Sequence, residues 1–244
     1  MTKDLRVNAD RMLASFNQLA LIGATKEGGV NRPTFSEAHL AARKWFREEI
    51  KRAGLEFRTD GAGNHSAVLP VTPALAPGAS VAREQSDRSN LHFDEEMASR
   101  KSLAMTLILG SHLDSVPDGG RFDGALGVVA ALEALRTVKE NGIQFRVNLE
   151  AMDFTDEEGT LVGLLGSAAL AGHLTPEMLQ NPRGGRETLV EGLKRAELSD
   201  ESMLSAARAK DSLAGYLELH IEQGKRLERA GIDIGIVSAI VGIW

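Results

Sequence analysis

Cysteine is absent from all 244 residues. Disulfides, thiolate nucleophiles and Cys-ligated zinc are therefore excluded together, and any metal site must use imidazole and carboxylate. An excess of positive charge is also lacking. Lys and Arg number 28 against 34 Asp and Glu, for a net charge of −6, so there is no basic footprint and nucleic acid is not an expected partner. No apolar run approaches the ~20 residues of a membrane span. The first residues, MTKDLRVNADRML, lack the apolar core of a secretory signal. A membrane partner is thus not expected, and the default compartment is cytoplasmic. No internal repeat is found. What remains, 43% hydrophobic and 25% charged residues, suits a soluble globular protein of one large domain or one and a fraction.

Hydrophobic spacing predicts a helix within residues 5–23, carried by Leu5, Val7, Met12, Leu13, Phe16, Leu19 and Leu21. Thr34 with Glu37 has the T-x-x-E spacing of a capping box, and predicts a second helix to about Ala53 that stops at Gly54. Residues 55–59 and 65–69 read as short strands around the Gly61–Gly63 turn. Residues 70–103, with three prolines and then a polar aperiodic stretch, read as a long loop or insertion. Strands are expected at 105–109, 145–154 and 216–221. Helices are expected at 127–139, 166–171 and 222–230, with a charged, helix-rich excursion over 175–210. Alternating helices with parallel-type strands imply an α/β layered domain. The final IGIVSAIVGIW is strand-like with nothing after it to cover it. An uncovered apolar edge is avoided in proteins, so the expectation is that the chain is incomplete at its C-terminal end.

Four stations fall at or near expected strand ends. His112-x-Asp114 follows the run LILGS; imidazole is the commonest protein ligand for zinc, and a carboxylate nearby can orient its ring. Asp123 lies in GGRFDGALG, where flanking glycines permit close approach and where a carboxylate can bridge two ions. Asp156-Glu157-Glu158 ends the strand LEAMDFT; one glutamate can bind a metal while its neighbour acts as general base. His220 lies in LELHIEQG. Each has a plain structural alternative when taken alone. These are a surface H-x-D, a helix N-cap at Asp123, a solvated acidic loop and a core histidine. Together His112, Asp123, Glu158 and His220 form an ordered H…D…E…H series suited to zinc or manganese. His39, His65, His92 and His173 sit in no comparable setting.

These motifs resemble the carbamoylase and allantoate-amidohydrolase branch of the dinuclear-zinc aminoacylase/carboxypeptidase superfamily. The segments that carry it are GSHLDSVPDGGRFDGALGVVAALEAL, FTDEEG, LGSAALAG and LELHIEQGKRLE. The resemblance spans nearly the whole chain except 70–103. It implies a three-layer α/β/α catalytic domain over residues 1–231. Residues 232–244 would begin the connection to a lid and dimerisation domain outside this chain. It implies two zinc ions, with manganese, cobalt or nickel as alternatives. His112 and His220 would ligate one zinc, Asp123 would bridge, and Glu158 would ligate the second. Glu157 would be the general base, Asp114 would orient His112, and Gln223 would face the substrate. The implied reaction is hydrolysis of a C–N bond in a small ureido compound. N-carbamoyl-L-amino acids come first, then allantoate and β-ureidopropionate, and the full-length protein would be a homodimer. The rivals are an aminoacylase or dipeptidase with the same metals, and an inactive chain that still binds metal.

Overall fold

The computed structural model describes residues 5–71 and 105–240. Its centre is a five-stranded sheet of β1 (Glu56–Thr59), β2 (His65–Leu69), β3 (Thr106–His112), β4 (Asn148–Phe154) and β5 (Leu213–Leu217). The spatial order is β1-β2-β4-β3-β5. Strand β3 runs parallel to β4 and β5, whereas β2 is antiparallel to β4 and β1 to β2. The sheet is therefore mixed rather than built of parallel-type strands alone. The cause is local: β1 and β2 are joined by a turn too short for a crossover, and such a connection permits only antiparallel pairing. Asp60 builds that turn by accepting the amides of Ala62 and Asn64 at 3.0 Å each.

Strand residues alternate between two cores, as a two-residue period requires. Leu149 and Ala151 face α1 (Ala9–Ala20), α2 (Glu37–Arg52) and α3 (Ala125–Glu140), where Phe16, Phe46, Ile50, Leu132 and Leu135 pack. On the other face Ile108, Met152 and Phe154 meet Leu170 of α4 (Leu165–Leu170). A further cluster joins α4 to α5 (Pro176–Gln180), α6 (Arg186–Arg195) and α7 (Asp200–Leu204), centred on Leu165, Leu179, Leu189 and Met203. Helices thus cover both faces of the sheet, the three-layer α/β/α arrangement expected. Ion pairs Arg136–Glu49 (2.6 Å) and Arg11–Glu133 (2.7 Å) tie the three helices of the first layer together.

Several boundaries differ from the sequence reading. Helix α2 is capped by Ser36, whose side chain accepts the His39 amide, and not by Thr34. Phe35, with φ +59°, turns the chain between them, so Thr34 faces elsewhere. Strand β5 stops at Leu217, which leaves His220 beyond the strand rather than inside it. The last helix, α8 (Arg226–Ala230), starts four residues later than expected, because the Glu222 carboxylate accepts the amides of Arg226 and Leu227 instead of entering the helix. Residues 232–240 form no strand, and Ile236 and Ile240 are 99% and 91% exposed. The polar stretch 72–103 and the final residues 241–244 lie outside the described residues. Among the described residues no helix is long and apolar enough to cross a membrane.

Candidate metal centre

Pairing of His112 with Phe154 aligns the ends of β3 and β4, so the loops after them emerge side by side. His112 is the last residue of β3 and is buried. Its Nδ1 lies 3.0 Å from the carbonyl oxygen of Asp114. A carbonyl only accepts, so Nδ1 carries the hydrogen and Nε2 presents its lone pair. That Nε2 is 3.9 Å from Asp123 Oδ1. His220 repeats the arrangement: its Nδ1 lies 3.0 Å from the Ile221 carbonyl oxygen, and its Nε2 is 3.1 Å from the same Asp123 Oδ1.

Two glycines make this convergence sterically feasible. Gly124 has φ +61°, and a Cβ there would sit 2.5 Å from three atoms of the His112 ring. Gly127 brings α3 against the Leu219 carbonyl, where a Cβ would approach to 2.6 Å. Gly124, not Asp123, takes the N-cap position of α3, and no side chain caps that helix. Asp123 is therefore free of the capping role that its position in the sequence allows. Its Oδ2 accepts from Gln223 Nε2 at 3.2 Å. Its Oδ1 is buried and receives no hydrogen bond among the described residues.

This donor set fits a metal ion. One ligand atom each from His112, Asp123 and His220 lies within 4.8 Å of the other two. Two imidazoles with Nδ1 fixed by carbonyls, flanking an unsatisfied carboxylate oxygen, is the outer-sphere pattern that orients histidine ligands. The electrostatics agree. His220 and then Gln223 hold the Asp123 carboxyl below its ordinary range, and the same carboxylate pushes His220 up to about 9. A cation at this place would relieve the Asp123 charge in the proton's stead.

Glu158 stands outside the three-residue cluster. It is half-buried, and burial raises its carboxyl while the nearby His112 opposes the shift. Glu157 lies deeper: Ser167 at the start of α4 donates to it from both its amide and its hydroxyl, at 3.1 Å each. Burial nevertheless pushes Glu157 up to about 7, the range in which a carboxylate serves as a general base near neutral pH. Asp114 reaches His112 through its main-chain carbonyl, while its carboxylate accepts the amides of Glu157 (3.3 Å) and Glu158 (3.1 Å). Asp156 is fully buried rather than part of a solvated acidic loop.

Sequence reasoning missed three groups. Ser167 holds Glu157. Arg43 donates to Asp153 Oδ2 at 3.0 Å, and Asp153 Oδ1 accepts the Leu113 amide at 2.8 Å beside the site. Thr34 donates into the acid loops. Only Thr34 left a trace in the sequence, and there it mimicked a helix cap.

A family model described as Peptidase family M20/M25/M40 matches residues 108–241, more than half of the chain. The chain belongs to this family. Among its relatives is the N-carbamoyl-L-amino acid amidohydrolase of Geobacillus stearothermophilus, 34% identical over 98% of this chain and 52% of that protein. The allantoate amidohydrolase of Bacillus subtilis is 30% identical over 92% of this chain and 48% of its own length. In three dimensions the chain is similar to a hydantoinase/carbamoylase family amidase from Burkholderia ambifaria. The TM-score is 0.71 at 30% identity, over 93% of this chain and 49% of that one. The chain thus spans about half the length of the curated relatives it matches. As an M20 family member it combines the α/β domain with a residue group suited to a metal ion.

Proposed function

We propose that this chain carries the metal-binding machinery of a hydrolase that cleaves the C–N bond of small ureido compounds. N-carbamoyl-L-amino acids are its first substrates, with allantoate and β-ureidopropionate as neighbours. The observation that carries the reading is the convergence of His112 Nε2 and His220 Nε2 on the unsatisfied Oδ1 of Asp123. Similarity to proteins named for carbamoyl and allantoate hydrolysis supplies the substrate class. The metal is zinc, bound as two ions, with manganese, cobalt or nickel as substitutes. His112, His220 and Asp123 would hold the first ion, and Asp123 and Glu158 the second. When bound, the metal supplies a Lewis acid and lowers the pKa of water.

The chain's own residues supply the rest. Glu157, poised near 7 by burial, takes the proton of the attacking water at its carboxylate. Ser167 fixes the direction of that carboxylate. Asp114 holds His112 through its carbonyl and keeps the backbone of both glutamates in place. Gln223 steadies Asp123 and remains the amide that faces the substrate. The full-length protein acts in the cytoplasm as a homodimer.

Assay of the full-length protein tests the substrate class. Release of ammonia and carbon dioxide from an N-carbamoyl-L-amino acid is the expected result. Release of amino acid from N-acyl substrates alone would instead make it an aminoacylase. Glu157→Gln is expected to abolish turnover, by at least 100-fold as for loss of a general base, with zinc content near that of the wild type. Surviving activity would remove Glu157 from its role.

A further inference from the structure

Thr34 lies on the segment before α2, outside both strands that carry the site, yet it touches both of their loops. Its hydroxyl is 2.8 Å from Asp156 Oδ1 and 3.2 Å from Asp114 Oδ2. Its amide donates to Thr160 Oγ1 at 3.1 Å, and that hydroxyl in turn donates to Asp156 Oδ1 at 3.2 Å. The segment that holds Thr34 is itself stitched to the β3 loop. Arg32 N donates to Ser115 Oγ (2.9 Å), Ser115 N to the Arg32 carbonyl (3.0 Å), and Val30 N to the Gly119 carbonyl (2.9 Å).

The two carboxylates that Thr34 joins organise the catalytic backbone. Asp156 accepts the amides of Leu161, Val162 and Gly163, at 3.1, 2.6 and 2.9 Å. It does so at φ +58°, a left-handed conformation that a residue with a Cβ adopts only when its surroundings over-determine it. Asp114 accepts the amides of Glu157 and Glu158. One side therefore fixes where the acid loop begins, the other where it closes. Thr34 links them from a third segment by sharing its one hydroxyl hydrogen, directed mainly to Asp156 Oδ1 at 2.8 Å with Asp114 Oδ2 at 3.2 Å, and all three side chains are buried. Phe35 immediately after it is also left-handed, at φ +59°, and donates its amide to His39 Nδ1 at 2.9 Å. That turn is what points Thr34 inward instead of letting it cap α2.

We propose that Thr34 is a positioning residue: its hydroxyl clamps the loops after β3 and β4 together and thereby fixes the backbone from which the Glu157 and Glu158 carboxylates project. In its kinetic arm this rests on the hydrolase reading above; in its structural arm it does not. Thr34→Val removes the hydroxyl at nearly constant shape, and Thr34→Ser restores it.

In the full-length protein, Thr34→Val is expected to lower kcat tenfold or more, with KM within twofold and zinc content unchanged. Thr34→Ser should return kcat to within about threefold of wild type. Hydrogen exchange of the Glu157, Glu158, Leu161, Val162 and Gly163 amides should accelerate at least tenfold in Thr34→Val and not in Thr34→Ser, while β3 and β4 stay protected. An unchanged kcat in Thr34→Val, equal loss in both variants, or unaltered exchange would each overturn the clamp. If the wild-type protein hydrolyses no ureido compound, the functional reading fails and the exchange arm alone decides. If Thr34→Val does not fold, wild-type exchange decides. The clamp requires the Thr34 and Val162 amides to exchange at comparable rates, and a tenfold faster Thr34 overturns it.

Discussion

At the scale of single residues, the centre depends on which groups burial has left without a partner and which it has tied down. Asp123 Oδ1 is buried between two histidines whose orientation is set by backbone carbonyls, with no well-aligned hydrogen bond and the His220 Nε2 in ion-pair contact at 3.1 Å. Behind the site, His39 is a buried histidine of another kind and His65 a partly buried one. Burial holds His39 well below its ordinary range and His65 down at about 3. Their folded values lie below the ordinary 6.5 of the unfolded chain. The stability they contribute is full above pH 6.5 and is lost as pH falls through that value toward 3, at about 1.4 kcal/mol per pH unit for each group. Asp153 acts in the opposite direction. Burial pushes it up from 3.8 to about 6, so its contribution is full below pH 3.8 and is lost as pH rises from there through 6. The variant His65→Gln isolates one histidine. Urea midpoints at pH 7 and pH 4.5 should differ less in the variant than in the wild type, by about 2 kcal/mol of unfolding free energy. Identical pH dependence would show that His65 titrates in the fold as it does in the unfolded chain, and would overturn its depressed value.

At the scale of elements, local pattern points correctly where strand runs carry the signal and wrongly where a turn intervenes. Three members of the expected ligand series, His112, Asp123 and His220, come within 4.8 Å of one another while Glu158 stands outside that group; His112 and His220 follow apolar strand-like runs, and strand ends that emerge side by side build sites. The loops that carry them lie where those runs predict, although β5 ends three residues before His220. Capping was misread because a hydroxyl three residues before a glutamate looks the same whether or not the chain turns between them. Phe35 makes that turn, and a left-handed residue of this kind has no sequence signature. Likewise Asp123 precedes α3 as an N-cap would, and only Gly124 at φ +61° frees it. Thr34 and Ser167 escaped notice because their partners lie 80, 122 and 10 residues away and were fixed by packing, not by spacing. The correction at α2 has its own check. Ser36→Ala should lower unfolding free energy by about 1 kcal/mol, as loss of a helix cap does, whereas an effect near zero would return the cap to another residue.

At the scale of the whole molecule, the mixed sheet brings three stretches of chain far apart in sequence to one edge of the domain. The parallel pairing of β3 with β4 and β5 sets the group suited to a metal ion, and the antiparallel β1–β2 hairpin extends the sheet away from it. Helices on both faces bury that sheet, but β5 and the residues after it carry exposed apolar side chains, among them Leu217, Leu219, Ile234 and Ile236. A site made this way is positioned by backbone carbonyls and glycine contacts, so loss of the partly exposed His220 should weaken metal binding while leaving the fold that carries the site intact. Zinc titration of the wild-type protein and of His220→Ala, followed by calorimetry, tests this most directly. The wild type is expected to bind zinc and the variant to bind at least tenfold more weakly, with the same urea midpoint in the metal-free state. Equal zinc affinity and stoichiometry in the two proteins would contradict it.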